Sequence, residues 1–306
     1  MSDIFLKSPL NYTGGKYKLL PQILPYFPKK IKTFVDLFCG GCNVGINVVA
    51  DNHIYNDRLA PLISLYSLMK DISAEKFVEM VDSIIREYGL SDVKTYGYDF
   101  YRCSSADGLS SYNRDKYLKL RDDFNRQVER NEEYYTKLYV LIVFAFNNQI
   151  RFNRKGNFNL PPGKRDFNQE MRDKLVAFMQ TLKKQKSLFL STDFTNIDFS
   201  EIDHDDFVYA DPPYLITCAS YNEQNGWNEN KEKELLCLLD RLSERGIHFA
   251  LSNVLESKGK TNEVLLNWIN NRPDYKLIDL NYTYSNANYQ RSNKDLRTRE
   301  VLVINQ

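Results

Sequence analysis

Two consecutive prolines stop a strand in this chain, and no other feature limits its fold as strongly. Phe207-Val208-Tyr209-Ala210 is apolar and rich in strand formers, and Asp211-Pro212-Pro213-Tyr214 follows at once. Proline fixes φ and has no N–H for a ladder, so the strand must end in a stiff turn. A turn at the C-terminal end of a strand in an open α/β sheet lies where such sheets bind ligands. The Asp211 carboxylate and the Pro212 carbonyl can then converge on one point. That suits an exocyclic amino group, whose two N–H bonds need two acceptors. Tyr214 offers a flat face to an aromatic ring. The plainer alternative is a Pro-rich turn whose Asp caps a helix.

The surrounding pattern predicts a doubly wound α/β domain. Thr33-Phe34-Val35-Asp36-Leu37-Phe38 reads as a strand and runs into Cys39-Gly40-Gly41, with a helix expected over 44–50. A strand over 53–56 ends at Asp57, and a helix is expected over 59–70. Strand, glycine turn, helix, strand and acid in that order begin a nucleotide-type fold. The middle of the chain changes character. Helices are predicted over 74–88, 112–130 and 134–146, with a Ser- and Gly-rich loop at 104–111. Residues 150–159 alternate around Lys155-Gly156-Asn157 and read as a hairpin, which Pro161-Pro162-Gly163 ends. Short strands return at 188–191, 207–210, 248–251 and 301–304, with helices at 229–245 and 262–270. Both chain ends therefore build one α/β domain, over 1–60 and 187–306, and a mostly helical insertion over 61–186 interrupts it.

Composition excludes several classes. With 306 residues, 26% charged and 42% hydrophobic, the chain is globular rather than disordered, with one large domain or two modest ones. Lys plus Arg number 41 against 40 acids, so a uniformly basic coat is out, but a local basic face is not. Residues 146–186 hold ten Lys or Arg against three acids, whereas residues 193–211 hold seven acids and no Lys or Arg. The five cysteines (39, 42, 103, 218 and 237) are odd in number and scattered, which is not a disulfide framework. Three histidines leave little for a His-based metal site, and no metal is expected. No apolar run reaches the ~18 residues of a membrane span, and the N-terminus lacks a signal-peptide core. The expected setting is a reducing cytoplasm, without membrane contact or an obligate protein partner. Twenty-one Tyr and 18 Phe suit either a packed core or surfaces on which bases stack.

Three further segments could carry chemistry. In Phe38-Cys39-Gly40-Gly41 the glycines allow close backbone approach, and a following helix N-terminus would favour negative groups. Asp57 lies 16 residues beyond Gly41, close to the spacing of a ribose-binding acid. Cys39-x-x-Cys42 has no second ligand pair nearby, so zinc is a poor reading. Asn11-Tyr12-Thr13-Gly14-Gly15-Lys16 could hold a carboxylate or a base, but lacks phosphate-loop spacing. Arg151, Arg154, Lys155, Lys164 and Arg165, with Phe146, Phe152 and Phe158 between them, could neutralise phosphates and stack or wedge against bases. A solvated charged loop is the alternative. Tyr221 and Trp227 could cover a base, and Arg291, Lys294, Arg297 and Arg299 form a second basic cluster without a legible role.

Together D-P-P-Y, F-C-G-G and Y-T-G-G-K resemble the Dam family of DNA adenine-N6 methyltransferases, and within it the T-even phage branch. The matching stretches are 11–16, 34–41, 56–57, 150–165, 206–217 and 252–260. The resemblance implies a Rossmann-like doubly wound methyltransferase sheet with an inserted helical target-recognition domain that carries the hairpin. It implies S-adenosylmethionine as donor and double-stranded DNA as partner, with GATC the typical site and the adenine flipped out of the duplex. Position by position, it puts Tyr12, Lys16, Phe38, Gly40, Asp57, Phe194 and Asp211 at the donor. Asp211, Pro212 and Tyr214 would carry the chemistry. Asn147 and Asn148 would enter the duplex, and Gln149, Arg151, Pro161, Lys164 and Arg165 would meet DNA. The chain departs from the family in three places: F-C-G-G-C lacks a spaced second glycine, Gln149 is polar where an apolar residue is usual, and 91–116 is long. The competing readings are an RNA or protein-amide methyltransferase on the same fold, and a non-catalytic DNA-binding regulator.

Overall fold

A computed structural model describes residues 5–103, 108–217, 226–281 and 298–305. The chain forms two compact units. One comprises Met1–Gly15, Gly40–Ile46 and Leu59–Gln185; the other comprises Lys16–Cys39, Asn47–Arg58 and Lys186–Gln306. Residues 5–15 and 40–46 thus group with the helical middle of the chain.

The second unit holds the whole sheet: β1 (Thr33–Asp36), β2 (Asn52–Asn56), β3 (Ser187–Leu190), β4 (Phe207–Ala210), β5 (His248–Ser257), β6 (Lys260–Thr261), β7 (Lys276–Leu280) and β8 (Arg299–Ile304). The order is β3-β2-β1-β4-β5-β8-β7, with β6 paired to β5. The first five strands are parallel neighbours, while β8 runs antiparallel to both β5 and β7. From β1 the chain winds outward through β2 and β3, then restarts on the other side with β4. The switch point therefore falls between β1 and β4, where Asp36 pairs with Tyr209.

Continuous apolar runs form the central strands because helices cover both faces of a parallel sheet. All four residues of β4 are buried. Helix α8 (Glu229–Glu244) lays Leu235, Leu238, Leu239 and Leu242 on Val35, Val208, Phe249 and Val303. These leucines recur at helical spacing, and each contributes ~1.5–3 kcal/mol on burial. On Phe207 lies Phe27, with ring centroids 4.6 Å apart. Helix α9 (Glu263–Asn270) adds Leu265 to the α8 side.

The first unit contains six helices among its described residues: α2 (Ala60–Asp71), α3 (Ala74–Tyr88), α4 (Val93–Phe100), α5 (Ser110–Arg126), α6 (Glu132–Phe144) and α7 (Gln169–Lys184). Helix α6 is buried along almost its whole length, so periodicity gave it only soft limits. Side chains of Ser73, Asp92, Asn131 and Asn168 cap α3, α4, α6 and α7.

Several local expectations change. The helix over 44–50 is only a 3-10 turn at Gly45–Asn47. Val44, Val48 and Val49 are β-branched, Asn and Gly lie between, and Cys42 has a φ of 55°. After Lys16 the chain forms three short turns, Tyr17–Leu19, α1 (Leu20–Ile23) and Leu24–Tyr26, because Pro21 and Pro25 prevent one continuous helix. Ser110 and Ser111 open α5 rather than close a loop, and residues 104–107 lie outside the described set. The hairpin over 150–159 is one bridge, Phe152 to Phe158, with the Asn153 amide donating to Asn157 at 2.8 Å. Strand β7 and the tenth-residue reach of β5 were not anticipated.

Candidate active site

At the end of β4 the chain emerges from a fully buried strand into Asp211, whose side chain keeps 19% exposure. Pro212 is buried and Pro213 exposed, and the turn closes with the Thr217 amide donating to the Tyr214 carbonyl at 3.1 Å. The carboxylate thus sits at the switch point, partly open, on a backbone that two prolines hold still.

Four side chains meet there. The Lys16 ammonium is 3.1 Å from Asp211 Oδ2 and 3.3 Å from Glu300 Oε1, and both Lys16 and Glu300 are 3% exposed. The Tyr214 hydroxyl shares its proton between Asp211 Oδ1 at 2.9 Å and Glu300 Oε1 at 3.1 Å. The ammonium also lies 4.9 Å from the Tyr214 ring centroid. Beneath them the Tyr209 hydroxyl and Ser252 Oγ are 2.8 Å apart. Burial raises the Asp211 carboxyl above the usual range; Lys16 opposes this and Glu300 adds to it. Burial, then Asp211 and Glu300, hold the Tyr214 phenol well above its ordinary value, so the hydroxyl keeps the proton it donates to the two carboxylates. Lys16, expected at a bound donor, is placed against these two carboxylates. Tyr214, expected as a stacking face, also has its hydroxyl committed.

Beside this cluster, Phe38 follows β1 and remains half-buried. Its ring centroid is 5.5 Å from Phe194 and 5.6 Å from Trp227. Buried Glu232 fixes the tryptophan, accepting from Trp227 Nε1 at 2.8 Å, Asn253 Nδ2 at 2.9 Å and Asn262 Nδ2 at 3.0 Å. Phe194 is only 2% exposed, so its position is a packed wall. Asp57 is half-buried at the end of β2, its amide donating to Leu190 at 3.2 Å.

The helical unit brings the other candidates together. The Tyr12 side chain packs on Gly40 and Gly41: a Cβ at Gly40, where φ is 43°, would come within 2.9 Å of its ring. Only glycine fits such an approach. Tyr66 donates to the Gly40 carbonyl at 2.7 Å. No α-helix follows this loop among the described residues, so the expected helix N-terminus is absent. The Asn11 amide donates to the Asn147 carbonyl at 2.7 Å, and the Gln149 amide to Thr13 Oγ1 at 3.3 Å. The Asn-Tyr-Thr-Gly-Gly loop is therefore tied both to Gly40 and to the 146–149 turn.

In that turn Asn147 and Asn148 both have positive φ, 56° and 52°. Phe146 (48% exposed) and Asn147 project, whereas Asn148 is buried and donates to the Val143 carbonyl. Asn148 is thus a structural cap rather than a residue at the tip, which Phe146 takes instead. The Phe146 amide donates to Pro161 at 2.8 Å and the Gly163 amide to Phe144 at 2.7 Å. This clamp places exposed Pro161, Lys164 and Arg165 next to the tip. Arg151 is exposed and held to Asn159 Oδ1 at 2.8 Å. Phe152 is half-buried and Phe158 is core, so neither projects as a wedge.

Sequence reasoning missed Glu300. Its only signal was an acid opening the apolar run Val301-Leu302-Val303-Ile304, where an unpaired charge is costly. Tyr221, Arg291, Lys294 and Arg297 lie outside the described residues, while Arg299 pairs with Asp279 at 2.7 Å. Among the described residues no group of three or more His, Cys, Asp or Glu could hold a metal, and no helix is long and apolar enough to cross a membrane.

Comparison with known proteins agrees with this geometry. The sequence matches the family of D12 class N6 adenine-specific DNA methyltransferases over residues 12–286. It is 40% identical to the type II methyltransferase M.FokI of Planomicrobium okeanokoites over 310 aligned residues, covering 99% of this chain and 43% of that protein. It is 40% identical to the modification methylase StsI of Streptococcus sanguinis, with 98% and 43% coverage. The DNA adenine methylase of Escherichia coli is 25% identical, with 80% and 79% coverage. The chain spans less than half the length of the first two relatives. The family match and a carboxylate on a strand-ending D-P-P-Y turn lead to one assignment: the chain belongs to the D12 class of N6 adenine-specific DNA methyltransferases.

Proposed function

We propose that this chain transfers a methyl group from S-adenosylmethionine to N6 of an adenine turned out of a short duplex site, with GATC as the first sequence to test. The observation that carries the reading is Asp211: a partly open carboxylate at the switch point, on a turn that two prolines stiffen. The motif likeness to Dam enzymes, the T-even phage branch among them, supports GATC. The relatives named as modification methylases support a restriction-modification setting.

The residues present fit the donor. A half-buried acid, Asp57, stands at the end of β2 for ribose hydroxyls, and Phe38 presents a half-buried ring after β1. Among the described residues, the carboxylates of Asp211 and Glu300 flank Lys16, and acidic groups beside the donor would suit a sulfonium. Tyr12, Phe38, Gly40, Asp57 and Phe194 would hold the donor. Lys16, 3.1 Å from Asp211, would complete the donor side of the site.

When bound, the donor supplies a methyl cation: its sulfur keeps the C–S electron pair, the adenine nitrogen's lone pair forms the new bond, and the nitrogen takes the positive charge and then sheds a proton. The chain's own residues prepare that nitrogen. Its lone pair is delocalised into the ring, so it is a poor nucleophile. Asp211 and the Pro212 carbonyl would accept its two N–H bonds and draw it toward tetrahedral geometry. Asp211 would take the proton late, once the nitrogen is acidic. Holding both reactants in place supplies most of the acceleration. Turning the base out costs a few kcal/mol. Tyr214 would flank the extruded ring, and the 61–186 segment would read the site through Phe146, Asn147, Gln149, Arg151, Pro161, Lys164 and Arg165.

The test is protection of a GATC plasmid from a methylation-sensitive nuclease, alongside labelled-donor assays on duplex DNA, RNA and protein. Label in DNA alone is expected, and single-molecule sequencing of that DNA gives the site. Label only in RNA or protein would shift the acceptor. Duplex binding without transfer to any acceptor would leave a regulator.

A further inference from the structure

We propose that the exposed rings of Tyr96, Tyr98 and Phe100 on α4 form a second DNA-contact surface, which grips sugar and phosphate of the duplex outside the recognised site. This rests on the reading that the chain acts on duplex DNA through the 146–165 loop.

Among the described residues nine large apolar or aromatic side chains are exposed, and four of them belong to this one stretch: Tyr96 (58%), Tyr98 (49%), Phe100 (61%) and Tyr112 (38%). Clustered exposed rings of this kind mark an interaction site. They are also ordered. Gly97, with a φ of 72°, breaks the helix between Tyr96 and Tyr98. Across that kink the Tyr96 ring stacks on Phe100, with centroids 4.9 Å apart. Phe100 meets buried Tyr101 edge-on at 5.0 Å, and Tyr101 meets Tyr112 edge-on at 4.6 Å. The Tyr101 hydroxyl accepts from the Asp92 amide at 2.7 Å, so the row of rings is rooted in the fold. Rings already held in place lose little freedom on binding.

Backbone bonds tie this patch to the basic loop. The Val93 amide, which opens α4, donates to Asp166 Oδ2 at 2.7 Å. Beyond α4 the Leu109 amide donates to the Lys164 carbonyl at 3.1 Å. Gly108, with a φ of 55°, lies so close that a Cβ there would stand 2.8 Å from the same carbonyl oxygen. Both ends of the aromatic stretch are thus fixed to residues 164–166, and the Phe146–Pro161 bond fixes the same run to the tip. Pro161 and Asp166 are at most ~18 Å apart along the chain, and α4 adds ~12 Å. The rings therefore lie within about one helical turn of duplex from the tip.

The chemistry of the patch fits a nucleic-acid backbone. Tyrosine hydroxyls donate to phosphate oxygens, and ring faces can cover deoxyribose. In an intact duplex no base face is free to stack, so the contact adds affinity without sequence preference. Exposed Lys94 and Arg102 border the rings, and exposed Lys164 and Arg165 continue the strip; exposed Asp99 is the one acid of α4. The core of a protein–protein interface is depleted of charge. Here cations stand beside the rings, and the patch runs on into a basic loop, which favours duplex over a protein partner.

Three duplexes test this: 10 base pairs centred on GATC, 30 base pairs centred on it, and 30 base pairs without it. The variant combines Tyr96→Ala, Tyr98→Ala and Phe100→Ala. It is expected to bind both 30-base-pair duplexes about 10-fold more weakly than wild type, and the 10-base-pair duplex within about 3-fold. Tyr98→Glu alone sets a carboxylate against phosphate and should give a loss at least as large on the long duplexes, which decides the matter if the triple variant melts early. Equal losses on long and short duplexes, or no loss on any, overturn the inference. So does a wild-type dimer in sedimentation that these variants dissociate, because the patch would then be a protein interface. A wild-type protein that binds no duplex would refute the proposed function itself. A wild-type protein that binds the long duplexes no more tightly than the variants do would refute this inference alone.

Discussion

The amide of Phe146 donates to the carbonyl of Pro161 at 2.8 Å, which ties an exposed aromatic tip to the start of the basic run Lys164-Arg165. Gly163 lies at the heart of this clamp, because a Cβ there would collide with the backbone of Ala145. Gly163→Ala is therefore expected to cost ~1–3 kcal/mol of stability and to lower duplex affinity, with donor binding retained. Thermal melts, duplex titration and donor titration check it; unchanged duplex affinity would separate the clamp from recognition.

The exposed cations of the same loop should divide by role. Arg165→Ala should lose ~1–3 kcal/mol of discrimination at one base position, whereas Lys164→Ala should weaken all sequences alike and reduce the salt slope by about one. Competition titrations over single-base variants at several salt concentrations distinguish the two. Equal, sequence-independent losses would make both residues phosphate contacts.

Replacing Asp211 by Ala should abolish methyl transfer while donor affinity survives within a few-fold. Asp211→Asn keeps the shape but not the charge, and should still lose about 10²–10³ in kcat. Single-turnover assays and donor titration measure both quantities. Near-normal turnover in either variant would remove Asp211 from the chemistry.

Buried Glu232 accepts from Trp227, Asn253 and Asn262. Glu232→Ala leaves three donors without an acceptor and is expected to destabilise the sheet unit by ~3–5 kcal/mol. Glu232→Gln, which keeps one acceptor oxygen, should cost less. Denaturant melts followed by Trp fluorescence report the difference, and equal losses would mean that volume rather than hydrogen bonding matters there.

Burial, opposed by the Val93 amide bond, raises the Asp166 carboxyl to about 6. Its contribution is present below the unfolded pKa and is lost as pH rises through about 6. Asp166→Asn should therefore gain stability relative to wild type between pH 4 and 7, by on the order of 1–3 kcal/mol. A variant whose deficit grows with pH would contradict the raised value.

Local chemistry alone settled a good part of this molecule. Runs of β-formers cut off by glycine, proline or Asn-Asp marked β1, β2 and β4 to within two residues, because propensity and chain stops act over a few neighbours. The same rule located Asp211 at a strand's C-terminal end, and acid at the end of β2 picked out Asp57. Where neighbours conflicted, reading failed: the β-branched residues at 44, 48 and 49 prevent the helix that an α/β frame suggests. Only tertiary structure could gather Lys16, Asp211, Tyr214 and Glu300. Lys16, the Asp211–Tyr214 turn and Glu300 lie far apart in sequence, and no local preference of Glu300 says which strand it will pair beside. Strand order decides that, through the burial of shared apolar faces, and with it which charges must face one another. Likewise, burial of Asn148 and exposure of Phe146 follow from how the 144–146 and 161–163 backbones pair, a choice made by distant contacts rather than by either residue.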